Sequence, residues 1–500
     1  MEKDELYKNL SEIFGPENVT VTFEDLIAYE GDDNRLRVLQ VYLPKYQEKF
    51  LPNAVVLAED KEQIAELVNF ANKNNIPLIP RAGASSLHGQ LVPIKRGIIV
   101  DITKMDTIFE INNKARYVVV QPGVLYKELN KELEPFGYWF PPDPGSSDIC
   151  RIGGMVGNNA SGVRACKYGV TADFVLGLEV VLPNGQIIRT GGKTLKSSSG
   201  LNLKQLFVGS EGTLGIVTEI ILRIDPKPSH EMSTVVGFQS LEDACTAASE
   251  IMGAGLIPAS MELVGPIATM ALNALLSEDL KMPDKSDNAT SNLLIRTDGD
   301  SERNAKEDME RILNVVGKFN PVKKKSYTQE ESEYVWIVRE ESTVAGRRLG
   351  RPPREHYMTG SDVIGDFGVP IDKVPEFVKG TAEICKKYRL SLSYVGHISD
   401  GNIHLGFAYR RPDRRSARNE ALAEREMAEF VVKLGGTLSA EHGAGLWMSH
   451  LLPIEHGESL ELMRAIKKLI DPNDIMNPGK MALDFIPDIV DPLKWYKEEE

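Results

Sequence analysis

Apolar residues enter this chain first in short runs and later in longer periodic stretches, and the change of rhythm divides it. NAVVLAED (53–60) is a strand-sized apolar run, and KEQIAELVNFANKNN (61–75) spaces its apolar residues three and four apart, as one helix face requires. IPLIPRAGASSLHG returns to a strand and opens into a loop, so the order is strand, helix, strand, glycine loop. Further β-rich runs follow: GIIVDI, YVVVQPGV, GLEVVLPNG, QIIRT and TLGIVTEIILRI. Beyond the proline break in DPKPSHE (225–231), strand-like STVVGF, ASMELV, NLLIRT and LSLSYVGHI alternate with amphipathic SLEDACTAASEIMGAG, DSERNAKEDMERILNVVGKF and ALAEREMAEFVVKLGG. The pattern predicts a helical segment over 1–50, a first domain over 51–226, a second, α+β domain over 227–430, and a C-terminal segment over 431–500.

Composition narrows the chemistry. The 500 residues carry 58 basic and 72 acidic side chains, so the formal net charge is 58 − 72 = −14, and 42% of positions are apolar. An acidic chain gains no general attraction to phosphate backbones or anionic lipid, so nucleic acid is not an expected partner. No apolar run nears the roughly 20 residues that a bilayer crossing needs, and the N-terminus MEKDELYKNLSEIFG lacks the apolar core of a secretory signal. A soluble cytoplasmic protein is expected, peripheral to a membrane only through a partner. The four cysteines, Cys150, Cys166, Cys245 and Cys385, show no CxxC spacing, which argues against a disulfide framework or a thiolate zinc ribbon.

Nineteen of the 42 glycines fall between residues 80 and 226, among the β-rich runs. Glycine has no Cβ and tolerates positive φ, so such loops suit a polyphosphate or flavin laid against main-chain N–H groups; a turn-rich sheet is the plainer alternative. No GxGxxG joins a strand to a helix, which removes a Rossmann nucleotide site. GGKT (191–194) looks like half a P-loop, but the glycine required five positions before Gly192 is Ile187.

Four segments stand out together: PRAGASSLHG (80–89), PPDPGSSDICRIGGMVGNNASG (141–162), KYGVTADFVLGLEVVLPNG (167–185) and LFVGSEGTLGIVTE (206–219). In order and spacing they resemble the FAD-binding half of the vanillyl-alcohol oxidase / p-cresol methylhydroxylase (PCMH) flavoprotein superfamily. Over about residues 45–482 the chain is similar to the branch that holds D-lactate dehydrogenase, the flavin-binding chain of glycolate oxidase and D-2-hydroxyglutarate dehydrogenase. The resemblance implies an α+β protein: a PCMH-type FAD-binding domain of two α/β subdomains, an antiparallel-sheet α+β substrate or cap domain, and a C-terminal segment returning to the first domain.

By that likeness Arg81, Ala82, Gly83, Ala84, Ser85, Ser86 and Leu87 wrap the FAD pyrophosphate. Pro142, Asp143, Gly145, Ser146, Asp148, Gly153, Gly154, Gly157, Asn158, Asn159, Ser161 and Gly162 line the isoalloxazine and ribityl path, and Glu211, Ile216 and Val217 hold the adenosine end. DPNDIMNPGK (471–480) resembles the family's C-terminal return, with Asn477 or Lys480 near the cofactor. Ala82 and Ala84 stand where the family has glycine, so the loop is less open than the family pattern. Ser85 stands where members with covalent flavin carry histidine, so FAD is expected to be non-covalent; His88 is either a polar loop side chain or a neighbour of the flavin.

A second constellation is VGHISDGNIHLGF (395–407) followed by LSAEHGAG (438–445). SDGN is a turn signal, so a hairpin would bring His397 and His404 toward one end. Two imidazoles with the carboxylate of Glu441 make a three-ligand set that leaves coordination positions for substrate. The resemblance assigns these three to a divalent metal (zinc, manganese or iron) and His442 to the catalytic base. In WIVREEST (336–343), Arg339 and Thr343 are four apart and match positions that bind the substrate carboxylate in similar enzymes; the alternative is a surface salt bridge to neighbouring glutamates. Relatives specific for a dicarboxylate carry a lysine before the aspartate matching Asp366, and SDVIGDFG has none, which favours a small monocarboxylate. Arg347, Arg348, Arg351 or Arg354 could substitute, or with RRPDRR (410–415) form a docking patch for an acidic redox partner.

The expected activity is FAD- and metal-dependent oxidation of a D-2-hydroxy acid, D-lactate ahead of glycolate and D-2-hydroxyglutarate. Electrons would pass to a separate acceptor such as an electron-transfer flavoprotein or an iron-sulfur protein. Two rivals are an alkylglycerone-phosphate synthase-like flavoenzyme, disfavoured by the intact His397, His404, Glu441 set, and a non-catalytic flavoprotein that only transfers electrons within a larger complex. A homodimer stays open.

Overall fold

The computed structural model describes residues 1–32, 50–340, 359–360, 365–409 and 414–491. They gather into two units, the first made of Met1–Ser161, Val170–Lys227 and Glu441–Val490, the second of Gly162–Gly169 and Pro228–Ala440 with the chain end from Asp491.

In the first unit, strands β1 (Val19–Thr20), β2 (Ala54–Leu57), β3 (Leu78–Arg81) and β4 (Ile98–Asp101) form a sheet in the order β1-β2-β4-β3, with β2 and β3 both parallel to β4. Helix α1 (Lys3–Phe14) buries Leu6, Leu10 and Phe14, and α2 (Lys61–Asn74) buries Ile64, Leu67, Val68 and Ala71, the three-and-four spacing of one face. These residues share one core with Val56, Ile98 and Val100. The Asp60 side chain accepts from Gln63 N at 2.8 Å and caps α2, which is why the helix starts where the polar KEQ begins.

A second sheet, fully antiparallel, orders β5 (Ile108–Asn112), β6 (Tyr117–Val120), β8 (Val175–Val181), β9 (Ile187–Gly191) and β10 (Ile216–Arg223) as β5-β6-β10-β8-β9, while β7 (Tyr138–Trp139) pairs apart with β11 (Asp225–Pro226). Strand β10 alternates buried and half-buried residues along its length, the period of a sheet packed on one face. Helix α3 (Ile152–Asn158) carries the GGMVGN run. The C-terminal segment extends the first sheet's edge: Leu78 N donates to Ile475 O at 2.7 Å and Asn477 N to Leu78 O at 2.8 Å. Buried Lys467 fastens it, donating to Thr213 O at 2.9 Å, Met476 O at 2.7 Å and Asp471 Oδ2 at 2.6 Å.

The second unit is built on an eight-stranded antiparallel sheet of β12 (His230–Phe238), β13 (Ser260–Val264), β14 (Ser291–Gly299), β15 (Lys323–Tyr327), β16 (Thr359–Gly360), β17 (Gly365–Gly368), β18 (Ser391–Gly396) and β19 (Asn402–Tyr409). Its order is β15-β12-β14-β13-β18-β19-β16, with β17 also on β19. Helices α4 (Leu241–Gly253), α5 (Glu302–Val316), α6 (Gln329–Glu340), α7 (Val374–Tyr388) and α8 (Arg414–Lys433) pack on it and on one another. β13 is buried at every position and β14 at all but its last, so both faces of the sheet centre are covered and the polar residues on these strands are buried with the apolar ones. Among the described residues, no helix is long and apolar enough to cross a membrane.

Candidate active site

In the first unit, Arg81 ends β3 with Nη1 donating to Asp101 Oδ2 at 2.6 Å and its guanidinium 4.7 Å from the Tyr29 ring centroid. The loop that follows lies against the second predicted cofactor segment: a Cβ on Gly83 would stand 2.5 Å from the Ile149 carbonyl oxygen, so only glycine fits. Ala84 adopts φ +53°, the left-handed conformation that glycine takes without cost, and Ser86 Oγ donates to Asp32 Oδ2 at 2.7 Å. On α3, Gly153 is pressed on Pro122, whereas an added Cβ on Gly154 would meet only Ala82 at 3.5 Å and one on Gly157 nothing within 4 Å. Residues 154 and 157 share a helix face, so α3 presents a strip of bare backbone, a surface that fits a flat cofactor.

Several residues expected to hold FAD also hold the AEHGAG loop. Asn158 Nδ2 donates to Glu441 O at 2.8 Å, and Ser161 Oγ to Glu441 Oε2 at 2.8 Å. Glu211 accepts from Ala444 N at 2.7 Å and from Gly445 N at 2.9 Å. Gln90, which the sequence did not single out, bonds His442 O at 2.7 Å and Asn158 Oδ1 at 3.2 Å. His88 Nδ1 lies 2.6 Å from Gly443 O, and its ring meets that of His442 edge-on at 5.5 Å. Gly443, at φ +77°, leaves no room for a side chain: a Cβ would stand 2.4 Å from Asn158 Oδ1. Asn477 Nδ2 joins the loops through Gln90 O at 3.0 Å and Glu211 O at 2.8 Å. Burial pushes the Glu211 carboxyl up to about 7 against the pull of the two amides, and pushes buried Lys480 down to about 8 against Asp32 and Glu211.

Other predicted cofactor residues have different surroundings. Gly145 sits in open space, exposed Asp148 pairs with Lys127, and Asn159 Oδ1 accepts from Ala172 N at 2.9 Å. Ile216 is committed to the core, and Gly162 groups with the second unit.

In the second unit, β18 and β19 form the hairpin that SDGN predicts, with a 3-10 turn at Ile398–Asp400 between them. His397 follows β18, and His404 lies in β19 opposite Val395 and Asp366. The rings meet edge-on at 5.1 Å, and their Nε2 atoms approach to 3.4 Å. Each outer nitrogen faces a carboxylate that the sequence reading gave no role: His397 Nδ1 is 2.6 Å from Glu262 Oε1, and His404 Nδ1 is 3.3 Å from Asp366 Oδ1. Asp366 is itself held by Asn402 Nδ2 at 2.8 Å and Ser439 Oγ at 3.0 Å. With its Nδ1–H donated to Glu262, His397 presents an Nε2 lone pair inward, toward His404 Nε2. Two imidazoles on one tetrahedral ion at about 2.0–2.1 Å would stand about 3.3–3.4 Å apart, so the pair fits a metal. Imidazoles backed by carboxylates are the usual surroundings of such ligands.

Arg339 is on α6, fixed by Trp336, whose Nε1 donates to Ser233 Oγ at 2.9 Å and whose ring lies 4.0 Å from the Arg296 guanidinium. Arg339 is buried and pairs with Glu262 Oε2. Burial would raise the Glu262 carboxyl, but Arg339 and His397 outweigh it and hold it down at about 2. Thr343 and the 347–354 arginines lie outside the described residues, as do the side chains of the 410–415 patch.

Residues 227–481 match the family described as FAD linked oxidases, C-terminal domain, and residues 52–191 match the FAD binding domain family. The chain belongs to the FAD-linked oxidases. Among the relatives of this FAD-linked oxidase, glycolate oxidase subunit GlcD of Bacillus subtilis is 33% identical over 477 residues, covering 95% of this chain and 96% of the relative. The mitochondrial D-lactate dehydrogenase [cytochrome] of Arabidopsis thaliana is 30% identical over 433 residues, 86% of this chain and 73% of the relative. Of solved structures, p-cresol methylhydroxylase with substrate bound superposes with a TM-score of 0.75 at 19% identity, over 96% of this chain and 97% of that one. Alkyldihydroxyacetonephosphate synthase superposes with 0.73 at 20% identity, over 96% and 85%. At these identities the likeness is one of fold: an α+β chain with a PCMH-type FAD-binding domain.

Proposed function

We propose that this FAD-linked oxidase oxidises a small D-2-hydroxy acid, D-lactate ahead of glycolate and D-2-hydroxyglutarate, with a divalent metal held by His397, His404 and Glu441. The observation that carries the proposal is the buried pair of Nε2 atoms 3.4 Å apart, each ring backed by a carboxylate. Glu441 enters as the third ligand on the sequence pattern. A bound metal would acidify the substrate hydroxyl, as bound cations acidify water. Bound flavin would accept the hydride from C2 at N5.

The chain's own residues do the rest. His442 takes the hydroxyl proton, a role suited to an imidazole near neutral pH. Arg339, with Thr343, orients the substrate carboxylate; a guanidinium carries five N–H donors, enough to serve Glu262 and a carboxylate together. The lysine-free SDVIGDFG stretch favours a monocarboxylate. FAD is held without a covalent bond, since Ser85 offers no imidazole to attach it. Electrons leave to a separate redox protein: the four cysteines Cys150, Cys166, Cys245 and Cys385 lack the close spacing of an iron-sulfur ligand set.

Anaerobic addition of D-lactate, glycolate and D-2-hydroxyglutarate to the FAD-loaded protein tests this. The flavin band at about 450 nm should bleach fastest with D-lactate. Bleaching by none of the acids would sink the proposal.

A further inference from the structure

The carboxylate of Glu262 stands where an apolar strand is expected. β13 runs through the sheet between β14 and β18, all five of its residues are buried, and Glu262 is 0% exposed. An ionised carboxylate in such a place is costly unless every oxygen is matched by a donor. Both are matched, by groups from different elements: Oε1 takes His397 Nδ1 at 2.6 Å and Oε2 takes the Arg339 guanidinium. One side chain therefore touches a histidine with its Nε2 in the proposed metal site and the arginine assigned to the substrate carboxylate.

We infer that Glu262 is a positioning residue that sets the metal-binding tautomer of His397 and the aim of Arg339 together, an inference that rests on the function proposed above. Accepting from Nδ1 fixes the proton on that nitrogen, leaves Nε2 as the electron-pair donor, and raises the basicity of the ring. Holding Arg339 by one edge of its fork fixes the plane in which the other N–H groups meet an incoming carboxylate. A carboxylate does both because it accepts on both oxygens. An amide cannot: Glu262→Gln keeps the shape but turns one acceptor into an NH2 that confronts either His397 N–H or Arg339.

The test uses the full-length, FAD-loaded protein. In Glu262→Gln, affinity for the metal alone, measured by chelator competition with zinc or manganese, should fall about 10- to 100-fold, the usual cost of losing such a support. KM for the hydroxy acid should rise as well. Raising metal to saturation should restore kcat to within a few-fold of wild type while KM stays high, because metal refills its site but does not re-aim Arg339. A general packing defect would not be titrated away by metal, so a kcat that stays low at saturating metal overturns the inference. So does a metal affinity within twofold of wild type together with an unchanged KM. Should Gln at this position prevent folding, Glu262→Asp carries the same test: it keeps the charge but is one methylene too short to reach both partners, and metal affinity and KM should still shift. If wild-type protein itself takes up no divalent metal, the proposed function falls with the inference; if wild type binds metal and the variants bind it equally well, the inference alone falls.

Discussion

In the first unit the AEHGAG loop is held largely through its main chain: Glu211 caps the Ala444 and Gly445 amides, while Asn158 and Gln90 take the Glu441 and His442 carbonyls. In the second unit His397 and His404 are held through side chains, each imidazole by a carboxylate from another strand. A site held through the backbone depends on shape, and an added methyl group breaks it. A site held through side chains depends on charge, and a neutral isostere breaks it. The two regions should therefore fail differently when altered.

The largest effect is expected from His404→Ala. Losing an imidazole ligand should remove metal-dependent catalysis worth several kcal/mol, about 10³-fold or more in the rate of flavin reduction, with FAD content unchanged. Stopped-flow anaerobic reduction checks it, and a wild-type rate would make the histidine pair structural. His442→Ala should slow flavin reduction by about 10²- to 10⁴-fold, the range for a lost general base, again with FAD bound; retained turnover removes it from that role. Gly83→Ala should do the opposite: its Cβ meets the Ile149 carbonyl at 2.5 Å, so stability should fall by about 1–3 kcal/mol and FAD should be lost on gel filtration. Loss of FAD in His404→Ala as well would erase the division between the regions.

The last effect concerns pH. Glu211 has its carboxyl raised from 4.5 to about 7 in the folded protein. Between those values the folded state binds more protons than the unfolded one, so its contribution is fully present below pH 4.5 and lost as pH rises through about 7. Glu211→Gln should flatten that slope by up to about 3 kcal/mol, read from urea midpoints at pH 5 and 8. An unchanged slope would mean that Glu211 is ionised across the range.

Much of this was legible locally. AVVL, the amphipathic stretch after it and the SDGN hairpin are encoded in residues within a turn or two of one another, and the observed elements follow them. The histidine pair was legible because one hairpin carries both rings. Its supports were not. Glu262 and Asp366 reach the rings from strands 135 and 38 positions earlier in the chain (397 − 262 and 404 − 366), through pairings that no local pattern specifies. The one available signal was a glutamate in the apolar run ASMELV, which reads as a solvent-facing position until the strand is known to be covered on both faces. Gln90 gave no signal at all, because its partners Asn158 and His442 lie 68 and 352 positions away in the chain. Arg339 was expected in the site or in a surface salt bridge to neighbouring glutamates, and its side chain is buried against Glu262.

That C-terminal segment also fixes an order of events during synthesis. The edge of the first sheet is completed by Ile475 and Asn477 bonding Leu78, a closure across about 400 residues. A ribosome releasing the chain from its N-terminus delivers all of Pro228–Ala440 before those partners exist. The unit whose residues emerge first is thus the one that finishes last, and until then its open edge at β3 offers unpaired backbone groups to any chaperone or neighbouring chain that meets it.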